Sequence, residues 1–541
     1  MYSKTERMEA FKNIKILVVC KETLSYPFYF LVKKWKEDNM VAAFFFNPCE
    51  TQYAESTLND TTYYAYKKLQ GVRLFTSDKI TEEFIGQQND KKVCDEAFLK
   101  SIENKYTHFQ NLNQQILSTQ FFTRHYHYRN YMHSCTYYQQ LNWLVLNYKN
   151  VISIINEFKP DVVLDCDCAE LARCVMREVC YKETIPYVVL DHPRYELYKL
   201  FSYNLGHKYS KLFERAYDKH LAENKDSLRD EYACVDEFRN RGNIMNAMFK
   251  NDITAQYNPP SIRKTFGTIW YSIKYFIKQD FAGGNYKLKR SCPLLFPSSY
   301  QYIKYYTKRE LKKQYLMRKN KYFKDPVEGE KYVYMPLHLI PESTTFTLSP
   351  LYINELSIIE AVSKSLPAGW WLYVKEHQAM VGERSVDFYE KANRIPNVRM
   401  VQLNFYKDPK PWIVKSQGVV TISGTAAYEA ALLGKRAILF TDVPFSIMEG
   451  ISRLHSFEHL AKTIQDFDKP LDNKQSCAAY IASIKELGCP VNLKVLLGQG
   501  QAIIRGKTEM SEEYQENLGK LEKLFLMGYY YYKDERELEN V

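Results

Sequence analysis

Thr421 to Phe440 reads TISGTAAYEAALLGKRAILF. The apolar, β-branched run that begins at Gly418 ends in TIS, small residues make a turn at Ser423, Gly424 and Thr425, and AAYEAALLGK is a helical pattern stopped by Gly434. RAILF then starts a second apolar run. Strand, turn, glycine-terminated helix and strand predict one step of a parallel α/β sheet, with Ala426, Ala427, Ala430 and Ala431 letting the helix lie close to the strands.

The same alternation extends outward. KYVYMPLH, WWLYVKEH, VRMVQL, GVVTISG and RAILF read as strands, and NELSIIEAVSKSL, DFYEKANRI and KPWIVKS as the helices between them. This predicts a doubly wound domain over residues 326–475, preceded by a charged Pro/Gly linker, DPVEGEKY. The N-terminal part opens on NIKILVVCKETLSYPFYFLVKKWKEDNMVAAFFFNP, again strand–helix–strand, and a further βα series follows in KPDVVLDCDCAELARCVMREVCYKETIPYVVLDHPRY. Its first strand-to-helix turn, Glu22 to Tyr26, lacks the G-x-G-x-x-G of a dinucleotide fold, which argues against a nicotinamide enzyme. The expected architecture is α/β, with two Rossmann-like domains facing a cleft. Residues 1–325 form an acceptor-side domain with helical insertions, 326–475 a nucleotide-sugar-binding domain, and 476–541 helices that pack back on the first domain.

A chain of 541 residues, 45% apolar and 25% charged, is long enough for two cores and has an ordinary globular composition. The apolar run Ile14 to Cys20 is too short for a signal core or membrane span, so a cytoplasmic protein is expected. Twelve scattered cysteines suit reduced thiols. Cys166 and Cys168 lack a second pair at zinc spacing, and His125 and His127, two apart, point to different helix faces, so no metal site is expected.

The net charge of +11 is concentrated. Between Ser261 and Lys321 lie fifteen Lys or Arg against Asp280 and Glu310. Trp270, Tyr271, Tyr275, Phe276, Tyr302, Tyr305 and Tyr306 interleave with them. Such a segment suits a solvated helical face with its aromatics in the core, or an interfacial surface for anionic lipid headgroups, a phosphorylated acceptor or nucleic acid; an anionic membrane surface over residues 261–321 is the expected partner, and nucleic acid is not expected.

Three loops follow strands of the second domain at one edge: His338 to Thr345, Lys375-Glu376-His377, and Ser423-Gly424-Thr425 with Glu429 one turn on. In open α/β sheets ligands bind at the carboxyl ends of the strands, and unpaired N–H groups at a helix start attract phosphate. Each feature also has a plain structural reading: Ser423 as a helix cap, Glu429 as a first-turn carboxylate, His377 as a hydrogen-bonded loop residue. Their convergence favours a binding site.

HLIPESTT, YVKEH and ISGTAAYEAALLGKRAILF, in this order, resemble the C-terminal domain of bacterial capsule and lipopolysaccharide glycosyltransferases of GT-B architecture. The resemblance is to the group that includes retaining 3-deoxy-manno-octulosonic acid (Kdo) transferases, and it covers about a hundred residues. It implies a CMP-sugar donor held by Glu342, Ser343, Thr344, Lys375, Glu376, His377, Ser423, Gly424 and Thr425, with Glu429 at the ribose. No cofactor beyond the donor is implied. The usual proline after the histidine is Gln378 here. VVLDHPRY is similar to the acidic residue and following arginine of that group. This makes Asp191 the first catalytic carboxylate, as base or nucleophile, with Glu170, Asp165 and Asp167 as alternatives and Asp165, Asp167 and Arg194 on the acceptor side; His377 is the expected catalytic group at the leaving phosphate, with Lys375 as its alternative.

The expected function is transfer of a sugar, Kdo or another ulosonic acid, from a nucleotide sugar to a surface polysaccharide or lipid-linked acceptor. The expected location is the cytoplasm or the inner face of its membrane. The alternatives are a CDP-glycerol-type polyol-phosphate transferase, a UDP-sugar enzyme of the same fold, and a non-catalytic polysaccharide-assembly protein.

Overall fold

The computed structural model describes residues 10–50, 60–118, 136–166, 170–203, 209–244, 261–277, 299–319, 321–340 and 343–539. It forms two units: Met1–Ile116, Cys135–Ala216 and Ser483–Val541 in the first, Leu117–Ser134 and Tyr217–Ala482 in the second.

The first unit holds β1 (Lys15–Cys20), β2 (Met40–Phe45), β3 (Val72–Thr76), β4 (Val162–Asp165), β5 (Tyr187–Asp191), β6 (Tyr198–Ser202) and β13 (Cys489–Pro490). Their order is β13-β6-β5-β4-β1-β2-β3. The chain begins in the middle, walks outward to β3, then crosses back to β4 and walks the other way, which is the doubly wound pattern. β6 runs antiparallel to β5, and β13 antiparallel to β6. The turn into β6 is tight enough to put Arg194 (φ 71°) and Glu196 (φ 43°) in the left-handed region.

KILVVC is buried almost throughout because helices cover both faces. Ile16, Val18 and Cys20 meet the helix Ser25–Trp35 and the C-terminal helix Glu512–Glu539. Leu17 and Val19 meet the helices Tyr137–Phe158 and Leu171–Lys182. Trp35 Nε1 donates to Glu522 at 2.8 Å and Phe28 stacks on Phe525 at 5.3 Å, so the end of the chain completes the core of its beginning.

The second unit holds β7 (Tyr332–Pro336), β8 (Trp371–Lys375), β9 (Val398–Met400), β10 (Gly418–Thr421), β11 (Arg436–Leu439) and β12 (Ile451–Arg453), ordered β12-β11-β10-β7-β8-β9. All its pairings are parallel, and the winding matches that of the first unit. One face is aliphatic, with Val333, Met335, Leu372, Val374, Val420 and Ile438 in a common core. The other carries a run of rings: Tyr332 stacks on Tyr373 at 4.1 Å and Tyr334 on Trp412 at 6.1 Å. Both halves of the chain are therefore Rossmann-like α/β units.

The linker suggested a division at residue 325, whereas the second unit takes in the chain from Tyr217 to Ala482. The basic helices Ile262–Phe276 and Ser299–Lys319 belong to the second unit. Arg309 pairs with Glu383 at 2.9 Å, and Lys312 donates to the carbonyls of Glu383 and Arg384 at 3.1 and 3.0 Å. Leu316 enters the aliphatic core beside β7 and β8. Among the described residues no helix is long and apolar enough to cross a membrane. None of the described cysteines is joined in a disulfide.

Candidate functional site

Register places the three loops of the second unit side by side. Pro336 lies opposite Lys375, and Thr421 opposite Leu439; counting on from the Gly418–Val333 pair, Thr421 is level with Pro336. Lys375 and Thr421 thus end strands on either side of β7, roughly 10 Å apart at ordinary strand spacing. β7 and β10 are the pair where the winding reverses, the position at which doubly wound sheets open a crevice.

A buried polar network fixes these strand ends. His338, two residues past β7, has Nδ1 at 3.1 Å from Glu355 Oε1, and its Nε2 lies 3.1 Å from Thr421 Oγ1. Ser423 N–H donates to the same Nε2 at 3.3 Å, which puts the imidazole proton on Nδ1, facing Glu355. Arg384, fully buried, lies 2.6 Å from Glu355 Oε2 and donates to Glu376 Oε2 at 2.8 Å. Tyr389 OH donates to Glu376 Oε2 at 2.6 Å, and His377 N–H to Oε1 at 2.7 Å. Burial pushes the Glu355 carboxyl up, but Arg384 and His338 outweigh it and leave it below the ordinary carboxylate value. For Glu376 burial wins over Arg384 and Tyr389, and its pKa is raised.

Glu376, expected at the donor, is therefore a core carboxylate that anchors the loop from beneath. His338 was expected to open the first of the three loops, but Glu355 and Arg384 were given no role by the sequence. Glu355 opens the helix Glu355–Ser365 like any first-turn acid, and GERSVD reads as a polar loop.

On this frame sit further polar groups. Ser423 is buried, and among the described residues its hydroxyl has no hydrogen-bond partner. It does not cap the next helix: the N-cap is Thr425, with no side-chain cap bond, and the helix Ala426–Leu432 has only seven residues. The anion site expected from a helix terminus therefore has only two turns of peptide dipole behind it, and the side chains carry more weight. Gly424 is required by close approach: a Cβ there would lie 2.4 Å from Thr421 Oγ1, which accepts Gly424 N–H at 3.2 Å.

Lys375 is buried at the end of β8, with Nζ 5.9 Å from the centre of the Trp412 ring. Burial pushes its pKa down to about 8, against the opposing carboxylates of Asp408 and Glu429. His377, half-buried, accepts Ala379 N–H on Nδ1 at 3.2 Å, so its neutral form carries the proton on Nε2. Lys375, Glu429, Ser423 and Gly424 gather at one sheet edge with His377 beside them. Asp408 joins them and was not anticipated. Glu342 lies outside the described residues, as do the side chains of Ser343 and Thr344. Farther along that loop the Thr345 and Ser349 hydroxyls are buried and have no hydrogen-bond partner among the described residues.

In the first unit Asp165 ends β4 fully buried. It accepts from Arg173 Nε at 2.8 Å, Tyr187 OH at 2.7 Å and Cys166 N–H at 2.8 Å. Asp165, expected on the acceptor side, is thus a core anchor, and it repeats the arrangement around Glu376. In each case a strand-end carboxylate binds the next N–H, an arginine eight residues on and a tyrosine. Each arginine also covers a ring, Arg173 over Phe46 at 4.9 Å and Arg384 over Phe388 at 4.5 Å.

Glu170 (φ 79°) pairs with Lys21 and with Arg173 Nη1 at 2.8 Å. Asp191 ends β5 largely buried and accepts His192 N–H at 2.7 Å. Asp167 and Cys168 lie outside the described residues, as do His125 and His127.

No family model matches the chain, and no curated protein matches it. Among solved structures it is similar to a UDP-GlcNAc 2-epimerase of Methanocaldococcus jannaschii, at 11% identity over 86% of this chain and 98% of that one, TM-score 0.27. It is similar to the Neisseria meningitidis UDP-GlcNAc 2-epimerase at 11% identity, 88% and 99% coverage and TM-score 0.22. It is also similar to a glycosyltransferase of Rickettsia africae at 11% identity, 93% and 100% coverage and TM-score 0.25. Likeness this distant leaves the fold to be argued from the two sheets themselves, and the site from its own residues.

Proposed function

We propose that the chain is a nucleotide-sugar-dependent glycosyltransferase whose second unit holds the donor. The observation that carries the reading is a buried ammonium, Lys375, kept at the end of a central strand on the same edge as a buried hydroxyl, Ser423, that has no hydrogen-bond partner among the described residues. A folded protein keeps an unpartnered buried hydroxyl against its desolvation cost where a ligand completes it, and the Lys375 ammonium on the same edge suits an anionic one.

In this reading Lys375, His377, Ser423, Gly424 and Thr425 receive the donor phosphate, and Glu429 meets the ribose. Glycosyl transfer breaks the sugar–phosphate bond with negative charge growing on the leaving oxygen. The Lys375 ammonium and His377 Nε2–H stabilise that charge more in the transition state than in the ground state. An arriving phosphate raises the proton affinity of Lys375, so the ligand itself secures the cation.

The donor we favour is CMP-linked, a Kdo or another ulosonic acid, and the acceptor a surface polysaccharide or its lipid-linked precursor. Asp191, on the first unit, is the proposed base or nucleophile. Incubation with a panel of CMP-, UDP- and GDP-sugars plus saccharide acceptors, read by nucleotide release and product mass, tests this. Release of CMP with a glycosyl mass added to acceptor is the expected result. Release of no nucleotide from any donor overturns the reading. A product carrying a transferred polyol phosphate, or an epimerised sugar with no transfer, replaces it with another chemistry on the same fold.

A further inference from the structure

The helix Ile262–Phe276 has one side packed and the other bare. Thr265 is buried and accepts from Gln314 Nε2 at 2.9 Å, tying the helix to its neighbour Ser299–Lys319. Away from that contact Ile262, Phe266, Trp270 and Ile277 are 62, 67, 67 and 54% exposed. At 3.6 residues per turn these four, with half-buried Ile269 and Ile273 among them, fall in one stripe roughly 100° wide. Exposed Arg263 and Lys274 border it, and the helix has no acidic residue.

Scattered apolar residues on a surface need no explanation, but a continuous stripe of isoleucine and aromatic side chains does. The surrounding charge narrows the choice of partner. The two helices carry ten Lys or Arg against Glu310, so nine of the chain's formal charge of +11 lie on them. A second copy docking stripe to stripe would bring two such clusters together, which like-charge repulsion opposes. Nucleic acid would use the cations, but a row of isoleucines contributes nothing to phosphate contacts. An anionic bilayer uses both features: rings and aliphatic side chains enter the headgroup–acyl boundary while Lys and Arg reach lipid phosphates. A helix of 15 residues, about 22 Å long, is suited to lie in that plane.

We infer that Ile262–Phe276 docks the protein on an anionic membrane surface, stripe downward, with the exposed cations Lys304, Lys308 and Arg318 of Ser299–Lys319 adding electrostatic attraction. The inference stands apart from the donor reading, because lipid binding is measured with neither donor nor acceptor present.

Sedimentation of the full-length protein with phosphatidylcholine vesicles, with and without about one third phosphatidylglycerol, tests it at low and high salt. The expected result is binding to the phosphatidylglycerol vesicles only, weakened by salt, and weakened at least about tenfold in Phe266→Ser/Trp270→Ser. Both substituted side chains face solvent, so an unchanged melting temperature confirms that the variant is folded. Failure of the wild type to bind anionic vesicles overturns the inference. So does equal binding by the variant, or a wild-type dimer in light scattering that the variant abolishes.

Discussion

Lys375 and Ser423 are where the second unit keeps polar chemistry at the expense of its own stability. Lys375 has its pKa pushed down from 10.5 to about 8. At about 1.4 kcal/mol per tenfold change in proton affinity, holding the ammonium there costs on the order of 3 kcal/mol. The sign follows from linkage. The unfolded chain keeps this proton to higher pH than the folded one, so the penalty is complete below about pH 8 and fades as pH rises towards 10.5. Lys375→Met is therefore expected to raise the melting temperature of the ligand-free protein at neutral pH, with the gain over wild type shrinking in alkaline buffer; thermal melts across that range check it. Ser423→Ala removes a buried hydroxyl that has no partner among the described residues, so it should leave ligand-free stability unchanged or raise it by about 1 kcal/mol while weakening nucleotide binding. A purely structural serine would give a loss of stability instead. Lys375, His377 and Ser423 were legible in the sequence because each ends an apolar run at the carboxyl edge of a parallel sheet. Glu376 was misread for a reason also written there: side chains alternate along a strand, so the residue between Lys375 and His377 turns to the opposite face, where Arg384 and Tyr389 wait.

At the scale of elements, the loops are set by buried carboxylate–arginine–tyrosine groups rather than by the helix starts alone. Arg384 lies between Glu355 and Glu376 with no exposure, and Arg173 bridges Asp165 and Glu170. Removing a buried cation leaves carboxylates uncompensated, so Arg384→Met and Arg173→Met should each destabilise by roughly 3–5 kcal/mol, measured by denaturant unfolding. Replacing Arg384 should also loosen His338 and the Ser423 turn, and so impair nucleotide binding. Strands and helices were readable from periodicity over most of both units, since parallel strands buried on two faces give uninterrupted apolar runs. The partners of Asp165 and Glu376 were not. An arginine eight residues downstream leaves no periodic mark, and polar strand ends look alike whether they face a ligand or the core. β6 escaped for a similar reason, because YKLFS is short, only its first two residues are half-buried, and it runs antiparallel between β5 and the two-residue strand β13.

In the whole molecule, the chain leaves the first unit, builds the second and returns, so the first core depends on the last residues. Leu521, Leu524 and Phe525 are fully buried against β1 and the helix Ser25–Trp35. Deleting Glu512–Val541 should abolish cooperative unfolding of the first unit while the second keeps its own transition, as seen by calorimetry. Gly528 permits this return: a Cβ there would lie 2.4 Å from Val188 Cγ1, too close for the helix to stay on the sheet. The linker DPVEGEKY looked like a domain boundary because Pro, Gly and charge usually mark one. The basic helices before it nevertheless anchor on Glu383 and Arg384, a long-range contact that local composition does not announce.

The central claim is that Lys375 and Ser423 are held for a nucleotide phosphate, and the most direct measurement is thermal stability of wild type and Lys375→Met with and without CMP, CDP, UDP and GDP. The wild type is predicted to melt higher with one of these, CMP foremost, by mass action. Lys375→Met should melt higher than wild type when empty and respond to none. A variant that melts no higher alone, yet shifts with nucleotide as far as the wild type, would contradict the claim.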